Sequence, residues 1–229
     1  MKALITGATK GIGKAIAIKL CKEGYDLVLV ARNQNELEKF RDELSNFGRT
    51  IFIYAADCAV KQQVYELLNT IENEIGFIDV LVNNVGAFMP GSLFDEDDET
   101  FEMQQQINVN AGYYISKLIG KKMRVAQRGH IFNICSVASN APVKNGGSYS
   151  VTKAAMLSLN HVLRQELAPH NVKVTAFLPG STKTSSWDGT TIPDEKFVQP
   201  EDIAEILFTI LNLSKGVNVD EVLITPLDF

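Results

Sequence analysis

Short apolar runs alternate along this chain with stretches whose apolar residues recur every three or four positions. The runs at 2–6, 26–31, 50–55, 79–83, 130–135, 172–178 and 221–224 have strand length, and most are apolar without a break, the pattern of strands covered on both faces. The periodic stretches at 12–22, 35–46, 60–75, 107–126, 148–167 and 200–213 predict amphipathic helices. Strand and helix alternating at these lengths imply right-handed crossovers, and hence a parallel sheet. No Gly-, Ser- or Pro-rich linker and no repeat interrupts residues 1–229. One α/β domain is therefore expected, a doubly wound parallel sheet of about seven strands with helices on both faces. The longest irregular stretch, 179–199, exceeds ordinary loop length, so it is either a substrate lid or hides a short helix. Its Trp187, the only Trp in the chain, either lines a cavity or anchors the stretch to the body, anchoring being the favoured role.

Composition narrows the function classes. A hydrophobic content of 45% fills a substantial core. A net charge of −5 argues against a general affinity for nucleic acid or anionic membranes, which rests on clustered Lys and Arg. The basic run at 121–124 is short and helical and reads as a solvated helix face. Cys21, Cys58 and Cys135 are too widely spaced for two thiolates to share a metal, which fits core residues in a reducing compartment. His130, His161 and His170 likewise lack metal-ligand spacing and read as structural. No N-terminal stretch resembles a signal peptide and no run is long enough to span a bilayer, so a cytoplasmic protein is expected. The acidic run at 95–99 lacks the pattern of a calcium loop and is expected to cap the helix after the fourth strand.

The first strand runs into a glycine-rich turn, Thr6-Gly7-Ala8-Thr9-Lys10-Gly11-Ile12-Gly13, that opens the first helix. This is the context of a dinucleotide site: the helix N-terminus offers free N–H groups to a pyrophosphate, and glycines let the backbone approach. The spacing T-G-x-x-x-G-I-G resembles the short-chain dehydrogenase/reductase family and its Rossmann-like fold. The resemblance extends from Thr6 to at least Thr184. Asn83-Asn84-Val85-Gly86 is similar to the family's N-N-A-G motif, with Val85 in place of Ala, and Pro179-Gly180 followed by Thr184 to its P-G-x-x-x-T segment. By this resemblance Gly7, Thr9, Lys10, Gly11, Ile12 and Gly13 meet the cofactor, Asp57 is its adenine-binding aspartate, Cys58, Asn84 and Gly86 also contact it, and Pro179, Gly180, Thr182 and Thr184 meet it at its nicotinamide end.

Charge bears on which dinucleotide is bound. An acidic residue ending the second strand suits the ribose hydroxyls of NAD, whereas an Arg accommodates the 2′-phosphate of NADP. Here the strand ends Val30-Ala31-Arg32-Asn33. No carboxylate is present there to repel a phosphate, Arg32 offers a charge-assisted fork, and Lys10 supplies a second cation. NADP(H) is expected over NAD(H). The bland alternative makes Arg32 a solvated residue at a helix start, next to Asn33 as N-cap.

Tyr149 and Lys153 form a Tyr-x-x-x-Lys pair, but so do Tyr113 and Lys117, so spacing alone does not distinguish them. Only Tyr149 follows a serine, Ser136, that ends an apolar strand, at the sheet edge where ligands bind in such folds. A hydride delivered to a carbonyl carbon leaves negative charge on oxygen, which must receive a proton. A free tyrosine phenol ionises near pH 10, about 3 pH units or about 4 kcal/mol from neutrality. Lys153, one helical turn on, supplies a cation that lowers this cost. Ser136 would orient the substrate oxygen. By resemblance Asn108 is the fourth catalytic member, holding a water that links the lysine to solvent, with Asn110 as its rival, and Tyr149 and Lys153 also contact the cofactor.

The expectation is thus an oxidoreductase interconverting a small-molecule ketone and secondary alcohol, its substrate bounded by 137–147 and the lid. The end of the chain lacks the glycine-rich tail common in the family's acyl carrier protein reductases, which weakens a fatty-acid role. The resemblance implies a homodimer or homotetramer, with no nucleic acid or membrane partner. The rival class is a dinucleotide-binding sensor or scaffold without turnover, against which the intact Ser136, Tyr149 and Lys153 stand.

Overall fold

The computed structural model describes residues 1–228. Seven parallel strands form one sheet in the order β3-β2-β1-β4-β5-β6-β7: β1 Lys2–Thr6, β2 Asp26–Ala31, β3 Ile51–Ala55, β4 Val80–Asn83, β5 Gly129–Ile134, β6 Val172–Pro179 and β7 Glu221–Ile224. The central strands bury both faces, so Ala3, Leu4 and Ile5 of β1 are fully inaccessible, and this is why their runs show no polar alternation.

Helices α1 (Gly11–Lys22), α2 (Gln34–Leu44) and α7 (Pro200–Leu211) cover one face. There Ile16 and Leu20 share a core with Leu37, Phe40, Ile203 and Leu207. The opposite face carries α3 (Lys61–Thr70), α5 (Ala111–Ala126) and α6 (Gly147–Leu167), through Leu67, Ile115, Met123 and Leu167.

The helix expected at 107–126 starts earlier. α4 (Asp98–Gln105) precedes it and continues through a π turn at Gln106–Asn110 into α5. Only Gln104 of α4 is buried, so no apolar stripe marked it. The acidic run places Asp98 and Glu99 in the first turn of α4, where the helix dipole favours them, while Asp97 at the cap position makes no side-chain capping bond. The stretch expected at 60–75 ends as a second π turn, Ile71–Ile75.

The chain runs outward from β1 to β3, then crosses back to lay β4 on the other side of β1. Their carboxyl ends diverge at this reversal, the crevice where open α/β sheets bind ligands.

Candidate active site

The glycine turn lies in that crevice and is tied to the turn after β4. The Thr6 hydroxyl oxygen accepts the N–H groups of Asn84 and Val85, each at 3.0 Å. Asn84 Nδ2 donates to the carbonyls of Thr6 at 2.8 Å and Gly7 at 3.1 Å. Gly13 faces into this joint: a Cβ there would stand 2.3 Å from the Gly7 carbonyl oxygen and 2.5 Å from Asn84 Nδ2. Its lack of a side chain lets α1 close on the turn. Gly11 has a left-handed φ of 51°, and a Cβ on it would lie 2.9 Å from the Thr184 methyl, so the 179–199 stretch lies against the cradle.

A continuous cavity of about 1040 Å³ opens from this turn. Of the expected cofactor residues, Gly7, Thr9, Lys10, Gly11, Ile12, Arg32, Asp57, Cys58, Asn84, Gly86, Tyr149, Lys153, Pro179, Gly180, Thr182 and Thr184 line it, together with Ser136. Gly13 stands behind the wall, and so does the buried Asn108. The residues fit a dinucleotide: the glycine backbone is bare of side chains, a helix N-terminus faces the cavity, and two cations, Lys10 and Arg32, stand at one end.

That end also carries a carboxylate, contrary to the expectation from the strand end alone. Glu36, in the first turn of α2, pairs with Lys10 Nζ at 2.9 Å and accepts from the Thr9 hydroxyl at 3.2 Å. The Lys10 hydrogen bond, helped by Thr9 and the charge of Arg32, holds the Glu36 carboxyl below its ordinary value. Asn33 acts as the N-cap of α2, accepting from Glu36 N. Asp57 Oδ1 accepts from Ala59 N at 2.9 Å, which orders the turn after β3. Burial pushes the Cys58 thiol up to about 12 and Cys135 up to about 11, so both remain neutral lining or core groups.

Ser136, which follows β5, and Tyr149 and Lys153 of α6 line the same cavity on the β5 side of the sheet. Ser136 Oγ accepts the Ala138 N–H at 3.1 Å, which leaves the hydroxyl proton free to donate. Lys153 is buried, and its Nζ donates to the Ile134 carbonyl at 2.9 Å, so the last residue of β5 aims it. Nζ lies 5.8 Å from the centre of the Tyr149 ring. Phe88, unremarked in the sequence, meets that ring edge-on with centroids 4.9 Å apart and fixes its plane.

The structure separates the two rival asparagines. Asn108 sits in the π turn, its Oδ1 accepting from Ala87 N at 2.8 Å and its Nδ2 donating to Ala87 O and Thr152 Oγ1, each at 3.0 Å. It therefore holds the turn after β4 against α6, and only a lone pair on Oδ1 remains for a water. Among the described residues the Asn110 side chain bonds only Gln105 and Gln106, just before it on the same helical run. Tyr113 is exposed and meets Tyr114 edge-on, away from the cavity lining.

Two supporting groups reach beyond the motifs. Asn83 Nδ2 donates to Asn133 Oδ1 and Ser116 Oγ, and Asn133 Nδ2 donates to Asn160 Oδ1, a buried chain joining β4 and β5 to α5 and α6. Glu96 accepts the N–H and hydroxyl of Ser148, pinning the start of α6 one residue before Tyr149. In the 179–199 stretch, short 3₁₀ turns form at Ser185–Trp187 and Asp194–Lys196, and Trp187 packs on Phe197 with centroids 5.0 Å apart while also lining the cavity. Lining the cavity is thus seen, and the ring contact with Phe197 lies within the stretch itself. No helix among the described residues is long and apolar enough to cross a membrane, and they hold no group of three or more His, Cys, Asp or Glu placed for a metal ion.

Comparison with known proteins agrees with this geometry. The family model described as short chain dehydrogenase matches residues 1–193. An uncharacterised oxidoreductase of Staphylococcus epidermidis is 32% identical over 224 residues, covering 98% of this chain and 96% of the relative. An alcohol dehydrogenase of Thermococcus sibiricus complexed with 5-hydroxy-NADP superposes with a TM-score of 0.89 at 30% identity, covering 97% of this chain and 95% of the other. L-sorbose reductase of Gluconobacter frateurii, complexed with NADPH and L-sorbose, gives 0.90 at 26% identity, with 98% and 95% covered. The chain belongs to the short-chain dehydrogenase family, with its Rossmann-like fold. It is an NAD(P)-dependent oxidoreductase of the kind that acts on CH–OH groups.

Proposed function

We propose that this protein interconverts a ketone and a secondary alcohol with NADP(H), using Tyr149 as the proton donor and acceptor. One observation carries the reading: a single cavity joins the glycine cradle to Ser136, Tyr149 and Lys153, which come from a strand end and a distant helix. When bound, the cofactor supplies the hydride to the carbonyl carbon, or takes it in the reverse direction. Ser136 donates its free hydroxyl proton to the substrate oxygen and orients it. Tyr149 passes its proton to that oxygen as charge develops. The Lys153 ammonium stabilises the resulting phenolate, with two of its three protons left over after the Ile134 carbonyl is satisfied. Asn108 keeps the Ala87 turn and α6 in register beside the lysine.

For the cofactor, support comes from Arg32 and Lys10 at the far end of the cavity and from solved relatives that hold 5-hydroxy-NADP and NADPH. The Lys10–Glu36 pair is solvent-exposed, and exposed pairs are worth about 0–1 kcal/mol, so a 2′-phosphate displaces Glu36 from Lys10 at little cost. NADPH oxidation with a panel of small ketones and diketones tests the reading. The parent is expected to turn over at least one of them, and Tyr149→Phe to lose turnover by about 10²-fold or more while still binding NADPH. Activity that survives the substitution removes Tyr149 from the chemistry. Tight NADPH binding without turnover of any carbonyl points instead to a sensor.

A further inference from the structure

The substrate end of the cavity has its own charge pattern. The carboxylates that line the cavity are Glu36 and Asp57, and both follow the strands of the cradle's side, β2 and β3. Phe88 meets the Tyr149 ring and Val143 is tied to Ser150 beside it, and Val137, Trp187 and the cation Lys144 line the same cavity. Of the lysines that line the cavity, Lys10 pairs with Glu36 and Lys153 bonds the Ile134 carbonyl. Lys144 is exposed at the mouth of the cavity, and its ammonium has no hydrogen-bond or ion-pair partner among the described residues.

The backbone that carries this cation is fastened on both sides. The Val143 N–H donates to Ser150 Oγ at 3.2 Å, next to Tyr149 on α6. The Gly146 N–H returns to the Val143 carbonyl at 3.2 Å, and the Asn145 carbonyl accepts from Gly91 N at 2.9 Å. Asn145 itself takes a left-handed φ of 55°, which closes the turn. Lys144 is thus a long side chain on a fixed base whose position relative to Tyr149 is set by Ser150.

We infer that Lys144 recognises an anionic group on the substrate, and that the substrate class is ketones with an apolar body and a carboxylate remote from the carbonyl. This rests on the carbonyl-reducing reading above. Aromatic and aliphatic walls take up the apolar body, and an exposed cation without an ion-pair partner, on a side of the cavity whose own lining holds no carboxylate, favours an anion; the acids nearest its loop, Asp95, Glu96 and Asp97, line the adjoining hollow beyond Phe88, where Glu96 is held by Ser148. One ammonium matches the single charge of a carboxylate, whereas a phosphate monoester carries nearly two and calls for a second cation. Because the contact lies away from the reacting carbon, it is made equally in ground and transition states and acts through KM.

The test compares 4-oxo-4-phenylbutanoate and 5-oxo-5-phenylpentanoate with their neutral carboxamides, as ketone substrates for NADPH oxidation by the parent, Lys144→Gln and Lys144→Glu. For at least one chain length the parent is expected to prefer the acid by about fivefold in kcat/KM, the scale of one charge-assisted contact at a partly open site. The ratio should fall to about one in Lys144→Gln and below one in Lys144→Glu, through KM, and shrink in high salt. An acid-to-amide ratio near one in the parent, or a ratio that Lys144→Gln leaves unmoved, overturns the inference while the reductase reading stands. Absence of turnover with every ketone overturns the reductase reading instead. The lysine is then judged by calorimetric binding of 4-phenylbutanoate and 4-phenylbutanamide to the NADPH-loaded protein. Tighter binding of the acid that is lost in Lys144→Gln upholds anion recognition, and equal binding of the two refutes it.

Discussion

Acid should destabilise this fold through His130. The side chain is buried in β5, stacked on Phe132 with ring centroids 3.9 Å apart, and its Nε2 shares a hydrogen bond with Thr175 Oγ1 at 2.9 Å. Burial, assisted by the charge of neighbouring Lys173, lowers its pKa from 6.5 to about 3. Above pH 6.5 the ring is neutral in both folded and unfolded chains, so its contribution to stability is complete and flat. Between 6.5 and about 3 only the unfolded chain takes up the proton, so stability falls as pH falls, by about 1.4 kcal/mol per pH unit once below 6. The full window corresponds to about 5 kcal/mol, a large share of the roughly 5–15 kcal/mol that holds a domain together. Urea unfolding from pH 8 to 4.5 measures this directly, with His130→Gln as the non-titrating reference. The parent should lose about 1.5 kcal/mol more than the variant between pH 6.5 and 5, whatever their difference at pH 8. Parallel pH profiles for the two proteins would refute the argument. The consequence reaches the site, because the same strand ends in the Ile134 carbonyl that aims Lys153.

At the cofactor end, Glu36→Gln releases Lys10 and removes a charge that a 2′-phosphate must face. The NADPH dissociation constant, read by fluorescence titration, should fall about two- to fivefold relative to that of NADH, and Arg32→Ala should shift the ratio the other way. Equal changes for both nucleotides would remove these residues from phosphate selection. Gly13→Ala forces a Cβ to within 2.3 Å of the Gly7 carbonyl oxygen. A backbone oxygen cannot yield as a side chain does, so a loss of about 1–3 kcal/mol in unfolding free energy is expected, with NADPH and NADH binding weakened alike. An unchanged melting temperature would show that α1 can move away.

How much was legible in the sequence depended on the range of the interaction. Strands announced themselves because burial on both faces requires unbroken apolar runs, and the glycine turn because the backbone there excludes side chains. α4 gave no such signal: it buries only Gln104 and is otherwise solvated. The π turn that follows inserts an extra residue into the helical register and turns Asn108 inward, and period counting does not detect this. Glu36 is not a neighbour of the end of β2 in sequence: the carboxylate arrives one helical turn later and meets Lys10 from a different loop. Phe88 and Lys144 likewise had no motif, since only packing brings Phe88 against the Tyr149 ring and Lys144 to the cavity lining.

The sequence by itself determined the alternation of elements and the glycine turn between β1 and α1, because these rest on local periodicity and on a backbone that needs bare glycines, and it singled out Ser136, Tyr149 and Lys153 as candidates only through their order along the chain, since Tyr113 and Lys117 share the same spacing. Tertiary structure alone decided the strand order that opens the crevice between β1 and β4, the partners that aim Lys153 and orient Asn108, and the charges at the two ends of the cavity. Those depend on atoms brought together across many residues by packing, and a side chain's field and hydrogen bonds are set by what lies within a few ångströms of it, wherever in the chain that neighbour comes from.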